Sequence, residues 1–463
     1  MANIYYIFLF TFLFSKKTLQ YIVLHFRTNI DLNKLNEDNY MNTTMNQQLY
    51  VDFNIGDSHQ TIPMTLKTQQ HPTYIVSSRS LDEIAIKYNE KKSHKSFHNI
   101  TNYLISQLYK YDFKEGYLVN DSITFNSSLI FNNFTYMLAT KINICAKNVS
   151  GEIGFSQKKE DEYLYFYPEK SNFLKQLKEN NLIYNKIFGI VYDTEYEGRL
   201  FLGSYLHQVD HLYSENELNT NYIKNYIADK NRDKWLINFN VKCLSHPDNT
   251  EIYIEYDTYG LVMYEIGLIV GSRTFREKFV IDYFNAKKCV ESKITSKPFC
   301  FYQYSCDYEE QFSDFPDIIM ALPGKYSFNF TKNELFKKVG KKYIFQIVFE
   351  IIDLDINYWR LGQAFFRKYN SFFTSDEKES LFSYYPMKKV SPKTDWIISG
   401  QFIVIIILSL ILFALLGVII YFLCYCEKKR RKRIAQELKE DDNYDYSPAN
   451  DDQEARNNLI INH

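Results

Sequence analysis

Short apolar runs separated by turn residues occupy most of the first 385 positions of this chain. The runs are rich in aromatic and β-branched residues, and clusters of Asn, Asp, Ser and Gly separate them, as in strand–turn–strand chains. Two stretches, 172–180 and 274–286, have a helical pattern instead. We therefore predict a mainly β chain, with strands at 49–55, 116–125, 186–192, 199–202, 251–256 and 260–270.

A different pattern appears at 402–423, where the residues are apolar and none is charged. About 20 such residues, at a helical rise of about 1.5 Å each, cross a hydrocarbon core of roughly 30 Å. Trp396 precedes the segment, and basic residues at 428–433 follow it, as expected for the cytosolic side of a span. The pattern predicts a single-pass type I protein with a transmembrane helix at 398–423 and a cytosolic tail at 424–463. A buried helix of a soluble domain is the alternative.

The N-terminal apolar run, 4–14, is too short to span a bilayer. It fits the core of a signal peptide at 1–15, although no Lys or Arg precedes it, and a buried first strand is the alternative. Sequons for N-glycosylation occur only before the predicted span, which agrees with an ectodomain that is extracellular or in the secretory or endolysosomal lumen. They begin at Asn42, Asn99, Asn120, Asn126, Asn133, Asn148 and Asn329.

The composition favours strands and gives no sign of nucleic-acid binding. The chain has 40 Tyr and 37 Phe, and aromatic residues are enriched in strands. Its formal net charge of −1 lacks the basic excess that binding to a phosphate backbone requires. Between the two apolar segments lie about 370 residues, enough for two lobes with sizeable cores. We expect a glycoprotein without a cofactor.

The cysteines of the predicted ectodomain are odd in number, so at least one is unpaired, or pairs between chains, if the others form disulfides. An oxidising compartment favours one disulfide among the last three, whose partners the sequence leaves open. No C-x-x-C spacing suggests zinc, and we predict no metal site. Two further cysteines at the cytosolic membrane face are either ordinary small residues or palmitoylation sites. The ectodomain set is Cys145, Cys243, Cys289, Cys300 and Cys306, and the other two are Cys424 and Cys426.

Several segments, taken in order, resemble motifs of the pepsin family of aspartic peptidases. Residues 49–78 (LYVDFNIGDSHQTIPMTLKTQQHPTYIVSS) resemble the family's opening strand, its I-G-x-P-x-Q motif and its W-V strand. Residues 261–271 (LVMYEIGLIVG) resemble I-V-D-T-G-T-S-L-I-V-G, and residues 359–369 (WRLGQAFFRKY) resemble W-I-L-G-D-x-F-L-R-x-Y. Further matches in the family's order lie at 20–27, 116–123, 186–203, Trp235 and 317–330.

This resemblance covers most of residues 49–385 and implies a bilobal acid-protease fold with a long cleft between two β-lobes. The implied organisation is an N-terminal lobe at 20–205, a connection at 206–234, a C-terminal lobe at 235–385 and a stalk at 386–397.

The residues at the family's catalytic positions do not suit its chemistry. Aspartic peptidases need two nearby carboxylates that share one proton and activate a water molecule. The positions matching those aspartates are Lys67 and Met263, so the resemblance implies that no catalytic residue is intact. A charged lysine cannot accept the proton of water, and methionine is neither acid nor base. The neighbouring positions are Thr68, Gln69, Tyr264 and Glu265.

Three further assignments follow from the resemblance. Tyr109, or alternatively Tyr111, matches the flap tyrosine. Asp257 begins a near D-T-G sequence, but using it requires a shift against the well-matched end of the motif. Lys67 and Glu265 fall on the two loops that meet at the cleft centre, where they either form an ion pair or point to solvent.

We expect a catalytically inactive pseudopeptidase that binds a peptide or protein through its cleft, rather than an enzyme. The alternatives are an active aspartic-type endopeptidase with atypical site residues and a structural or adhesive surface glycoprotein. The expected partners are the lipid bilayer and a peptide or protein ligand, without nucleic acid.

Overall fold

The computed structural model divides into two compact units, residues 1–387 and 388–463. It describes residues 21–441 except 31–34, 69–72, 81–85, 94–96, 101–104, 107–112, 126–128, 143–148, 156–171, 224–234, 246, 297–298, 324–325, 352–357, 376–379 and 387–399. The predicted signal peptide and stalk therefore lie outside the described residues, apart from Pro386, and the fold can be followed through both predicted lobes.

The first unit is mainly β and contains two large sheets, as the sequence predicted. The described strands of the first sheet run in the order β12-β25-β24-β10-β11-β1-β2-β3-β9-β4-β8-β7-β5, with β6 beside β7. They are β1 (Ile22–Thr28), β2 (Leu49–Ile55), β3 (Gln60–Lys67), β4 (Tyr74–Val76), β5 (His98–Asn99), β6 (Ile105–Ser106), β7 (Phe113–Phe125), β8 (Leu129–Ile142), β9 (Gly151–Gly154), β10 (Ile187–Tyr192), β11 (Glu197–Leu202), β12 (Asn219–Ile223), β24 (Tyr369–Ser375) and β25 (Ser380–Pro386).

The second sheet runs in the order β19-β18-β13-β14-β23-β15-β22-β17-β21-β20, with β16 beside β17. Its described strands are β13 (Leu236–Leu244), β14 (Glu251–Val262), β15 (Ile269–Gly271), β16 (Val290–Ser296), β17 (Phe299–Cys306), β18 (Asp317–Ala321), β19 (Ser327–Phe330), β20 (Phe336–Val339), β21 (Lys342–Phe345), β22 (Ile347–Glu350) and β23 (Trp359–Leu361). Buried and half-buried residues alternate along β13, the period-2 pattern of a strand with one face on the core.

The described α-helices of the first unit are short. They are α1 (Tyr40–Met45), α2 (Phe173–Glu179), α3 (Arg273–Phe275), α4 (Ile281–Ala286), α5 (Lys332–Leu335) and α6 (Gln363–Phe366), with a π-helical turn at Arg276–Val280 joining α3 to α4. The side chain of Asn172 caps α2 by accepting a hydrogen bond from the Lys175 N–H at 2.9 Å. The two helical stretches predicted at 172–180 and 274–286 are confirmed.

The two sheets share one pattern of strand pairing. In the first sheet β3 pairs in parallel with β9, β9 pairs antiparallel with β4, and β4 pairs in parallel with β8. In the second sheet β14, β23, β15 and β22 repeat this series of parallel, antiparallel and parallel pairings. The repeat places the end of β3 and the end of β14 at equivalent points of their sheets.

Two details differ from the expected strands and lobes. The runs predicted at 251–256 and 260–270 form one long strand, β14, followed by the short β15. Asp257 lies within β14 at a φ of 48°, and the pairing register with β13 shifts there, so a bulge absorbs the residues that looked like a turn. Residues 369–385, assigned from the sequence to the C-terminal lobe, and Pro386, assigned to the stalk, supply β24 and β25 of the first sheet.

Aromatic side chains from the two sheets pack together in one core. Phe188 and Phe373 of the first sheet stack with ring centroids 4.9 Å apart, and Phe188 meets Trp235, which directly precedes β13 of the second sheet, at 5.6 Å. The Trp235 indole is buried and donates a hydrogen bond to the Phe155 carbonyl oxygen at 2.8 Å. This packing fixes the start of the second sheet against the first.

One disulfide is present among the described cysteines, between Cys289 and Cys306 at the two ends of the β16–β17 hairpin. Cys243 is buried and Cys300 is half-buried, and both are free thiols. Burial raises the pKa of the Cys243 thiol, so it stays protonated near neutral pH.

The second unit contains α7 (Gly400–Asp441), which begins within the predicted span and continues through the basic residues 428–433. Within the parts of the chain that the structure describes, no helix combines the length and the apolar character needed to cross a membrane.

Candidate functional site

The two positions that match the family's aspartates lie at the equivalent strand ends. Lys67 is the last residue of β3 and lies opposite Gly154 of β9. Val262 ends β14 opposite Leu361 of β23, so Met263 follows directly after the strand. Met263 donates its backbone N–H to the Leu361 carbonyl oxygen at 2.9 Å. We name residues 67–68 and 262–265 the loop junction.

Thr68 joins the two sides of the loop junction. Its hydroxyl donates a hydrogen bond to the Val262 carbonyl oxygen at 2.9 Å, and its backbone N–H donates to Oε1 of Glu265 at 2.7 Å. Thr68 is fully buried. The loops that the sequence predicted to meet are therefore in contact, through a threonine and a glutamate.

Lys67 lies beside a carboxylate that the sequence did not single out. Its Nζ is 3.6 Å from Oε1 of Glu152 on β9, where the Glu152 side chain is fully buried and that of Lys67 is 13% exposed. A buried carboxylate needs a nearby cation, because removing it from water costs several kcal/mol. No sequence motif indicated that Glu152 lies near Lys67. The parallel pairing of β3 with β9 brings the two residues together.

The predicted Lys67–Glu265 ion pair stays a hypothesis. Both residues belong to the loop junction, where Lys67 pairs with Glu152 and Glu265 accepts a hydrogen bond from Thr68. The carboxylate of Glu265 accepts a hydrogen bond from the Thr68 backbone N–H. The glycine that the family has at this position has no side chain that could do so.

Tyr264 anchors the second loop in the aromatic core. Its ring centroid is 4.4 Å from that of Phe366, and the side chain is fully buried. Burial raises the pKa of the Tyr264 phenol well above its ordinary value, so it stays neutral. The amide of Gln363 donates to the Tyr264 carbonyl oxygen at 2.8 Å. This loop is thus held by packing on one side and by a hydrogen bond on the other.

Asp257, the alternative catalytic position, lies in the interior of β14 and outside the loop junction. It is exposed, and its backbone N–H donates to Oδ1 of Asn240 at 2.8 Å. With Glu255 and Thr258 it lines a separate cavity of about 320 Å³. The residues that contact Thr68 are Val262 and Glu265, which agrees with the unshifted alignment.

Asp121, in the segment that resembles G-x-L-x-x-D-x-V, is a fully buried carboxylate with several donors. It accepts hydrogen bonds from the Tyr88 hydroxyl, from the Ser93 hydroxyl at 3.0 Å and from the Ser122 N–H at 2.8 Å. Burial, and then the bond to Asp121, raises the pKa of the Tyr88 phenol. The cluster holds β7 to the segment around residue 90 and is structural.

Several predicted sites can be placed only in part. Gln69, Tyr109 and Tyr111 lie outside the described residues, as do the sequon residues Asn126 and Asn148 and the cysteine Cys145. Asn42, Asn99, Asn133 and Asn329 are exposed. Asn120 is half-buried, and its Oδ1 accepts a hydrogen bond from Thr135 at 2.5 Å. Among the described residues no cluster of metal-ligating side chains occurs.

No protein-family model and no curated protein matches this chain.

Proposed function

We propose that this chain is a divergent pepsin-like protein that has lost peptidase chemistry and binds a peptide or protein segment in the cleft between its lobes. The repeated parallel, antiparallel and parallel pairing in the two sheets supports a two-lobed fold of this kind. The ordered sequence motifs support the same proposal, because the segments at 49–78 and 261–271 contain the ends of β3 and β14, which the repeat makes equivalent.

The observation that carries the loss of activity is the Lys67–Glu152 ion pair at the loop junction. An aspartic dyad requires two carboxylates close enough to share a proton. Here the first position supplies an ammonium group that pairs with a buried carboxylate, and the second supplies the thioether of Met263. Two glutamates lie near these positions, but Glu265 accepts hydrogen bonds from Thr68 and Glu152 pairs with Lys67. We infer that neither is available to share a proton with the other as the aspartic dyad does.

An acid-pH cleavage assay tests this loss. The purified full-length protein in detergent is incubated with a denatured protein substrate, with and without pepstatin. We expect no pepstatin-sensitive cleavage at any acid pH. A matched Glu265→Gln variant is assayed in parallel, so that contaminating activity, which this substitution leaves unchanged, can be recognised. Pepstatin-sensitive cleavage by the unmodified protein that disappears in Glu265→Gln would establish an active enzyme and contradict the proposal.

We further propose that residues 398–423 anchor the protein in a membrane, with residues 424–463 in the cytosol. The support is the uncharged apolar stretch and the basic residues 428–433 that follow it on the same continuous helix. Such an anchor would keep the binding unit beside the bilayer, on the side opposite the cytosol.

A further inference from the structure

A cavity of about 370 Å³ has a lining that is mostly polar or charged and includes three apolar residues. This volume is within the range of about 300 to 1,000 Å³ that is typical of small-ligand sites. The apolar walls are Phe330, Phe336 and Ala364. None of the residues that line the cavity belongs to the loop junction.

Positive charge exceeds negative charge around this cavity. Its lining carries three cations, Lys337, Arg367 and Lys368, against two carboxylates, Glu195 and Glu334. Glu195 pairs with both Lys337 and Arg367, whose Nη1 is 3.2 Å from Oε1 of Glu195. Lys368 pairs with Glu334 at 2.6 Å. One cationic charge is therefore left without a carboxylate among the lining residues.

The three nitrogens of the Arg367 guanidinium have different surroundings, and Nη1 is the one that pairs with Glu195. Its Nη2 donates to Oε1 of Gln47 at 2.6 Å, so this nitrogen meets a neutral amide. Its Nε is buried and has no hydrogen-bond partner within the described parts of the chain. A buried donor without a partner costs about 1 to 3 kcal/mol, and a carboxylate accepts from two guanidinium nitrogens at once.

We propose that this cavity binds a carboxylate attached to a small apolar group. The carboxylate accepts hydrogen bonds from Arg367 and neutralises the excess charge, while the apolar group packs against Phe330 and Phe336. Glu195 competes with the ligand for Arg367 and Lys337, since it offers these cations the same functional group. The carboxylate belongs either to a small organic acid or to the C-terminal residue of a peptide.

Isothermal titration calorimetry on the full-length protein in detergent tests the proposal. The probes are 3-phenylpropionate and N-acetyl-Leu-Phe with a free C-terminus, and each is compared with its carboxamide. We expect at least one acid to bind saturably and its amide to bind at least about tenfold more weakly, because the amide loses the charge-assisted bonds. Binding of both acids identifies a small organic acid as sufficient, whereas binding of the dipeptide alone identifies a peptide C-terminus.

Two substitutions and a matched control assign the binding to this cavity. Arg367→Lys keeps the charge but removes the planar fork, and it should weaken acid binding by about tenfold. Glu195→Gln removes the carboxylate that competes with the ligand, and it should strengthen binding of the acid. Arg360→Lys, whose arginine pairs with Glu350 outside the cavity, should leave binding unchanged. Equal binding of acid and amide, or no saturable binding of either acid at millimolar concentration, would contradict the proposal. The charged residues that line the cavity would then form only an internal ion-pair network. The acid–amide comparison needs no variant, so it decides the question even if Arg367→Lys does not fold.

Discussion

At the scale of single residues, the side chains of the loop junction hold the structure together. Lys67 neutralises the buried Glu152, and Thr68 binds both Val262 and Glu265. The sequence predicted that the two loops meet, and the hydrogen bonds of Thr68 with Val262 and Glu265 join them. It did not predict Glu152, because the pairing of β9 with β3 brings together residues that are 85 positions apart and share no motif.

Replacing Lys67 with Met should destabilise the protein by about 3 to 5 kcal/mol at neutral pH, because the buried Glu152 carboxylate loses its ion pair with Lys67. The double variant Lys67→Met/Glu152→Gln should recover most of this loss, since no charge is then stranded. Urea unfolding followed by tryptophan fluorescence measures both.

The control for this pair is Arg27→Met, which breaks an exposed ion pair with Asp52. We expect it to cost less than about 1 kcal/mol. Equal losses for Lys67→Met and Arg27→Met would show that the Lys67–Glu152 pair does not stabilise the loop junction.

At the scale of elements, hydrophobic patterning predicted strands well where they are short and separated by turn residues. It failed at β14, where Asp257 adopts a positive φ within a continuous strand and a bulge looked like a turn. It also missed the place of β24 and β25 in the first sheet, because sheet membership depends on long-range pairing that local periodicity does not encode. The same limit hid the repeat of parallel and antiparallel pairings in the two sheets.

The Cys289–Cys306 disulfide closes a hairpin of the second sheet over a separation of 17 residues. Replacing both cysteines with serine should lower the free energy of unfolding by about 3 kcal/mol, because the unfolded chain regains the freedom of the closed loop. Denaturant unfolding measures the loss. Cys300→Ser, which removes a free thiol of the same hairpin, should leave stability within about 0.5 kcal/mol, as for most surface substitutions. A larger effect for Cys300→Ser than for the double variant would contradict the disulfide assignment.

Membrane extraction and protease protection test whether α7 anchors the protein in a membrane. In cells expressing the full chain with a C-terminal tag, we expect the protein to stay in the membrane pellet after alkaline carbonate extraction. Protease added to intact vesicles whose outer face is cytosolic should remove the tag and spare the folded unit. A chain ending at Met387 should be recovered in soluble form. Extraction of the full chain by carbonate, or a tag protected from protease, would contradict the anchor or its orientation.

At the scale of the whole molecule, Glu195 links the two sheets. It lies in the turn between β10 and β11 of the first sheet and pairs with Lys337 on β20 of the second and with Arg367. Burial alone would raise the pKa of Glu195, but its hydrogen bond with Lys337 and the charges of Lys337 and Arg367 outweigh burial and lower the pKa below its ordinary value near 4.5.

A lowered carboxyl pKa gives a stability contribution that is present above the ordinary pKa and is lost as pH falls through the lower folded-state value. Glu195→Gln should therefore be less stable than the unmodified protein at pH 7, and the difference should shrink as the pH falls below about 4.5. Thermal unfolding across this range measures it. A difference that grows on acidification would show that Glu195 is not stabilised as a carboxylate.

The central claim is that the protein binds peptides without cleaving them. It is tested most directly by determining which peptides the protein retains and whether any of them is cut. A pool of random peptides is incubated with the immobilised full-length chain at acid and at neutral pH, and the retained and unbound fractions are sequenced by mass spectrometry. We predict that a subset of peptides is retained intact and that no new termini appear. Peptides with new termini whose formation pepstatin prevents would contradict the loss of catalysis, and a retained fraction indistinguishable from the starting pool would contradict peptide binding.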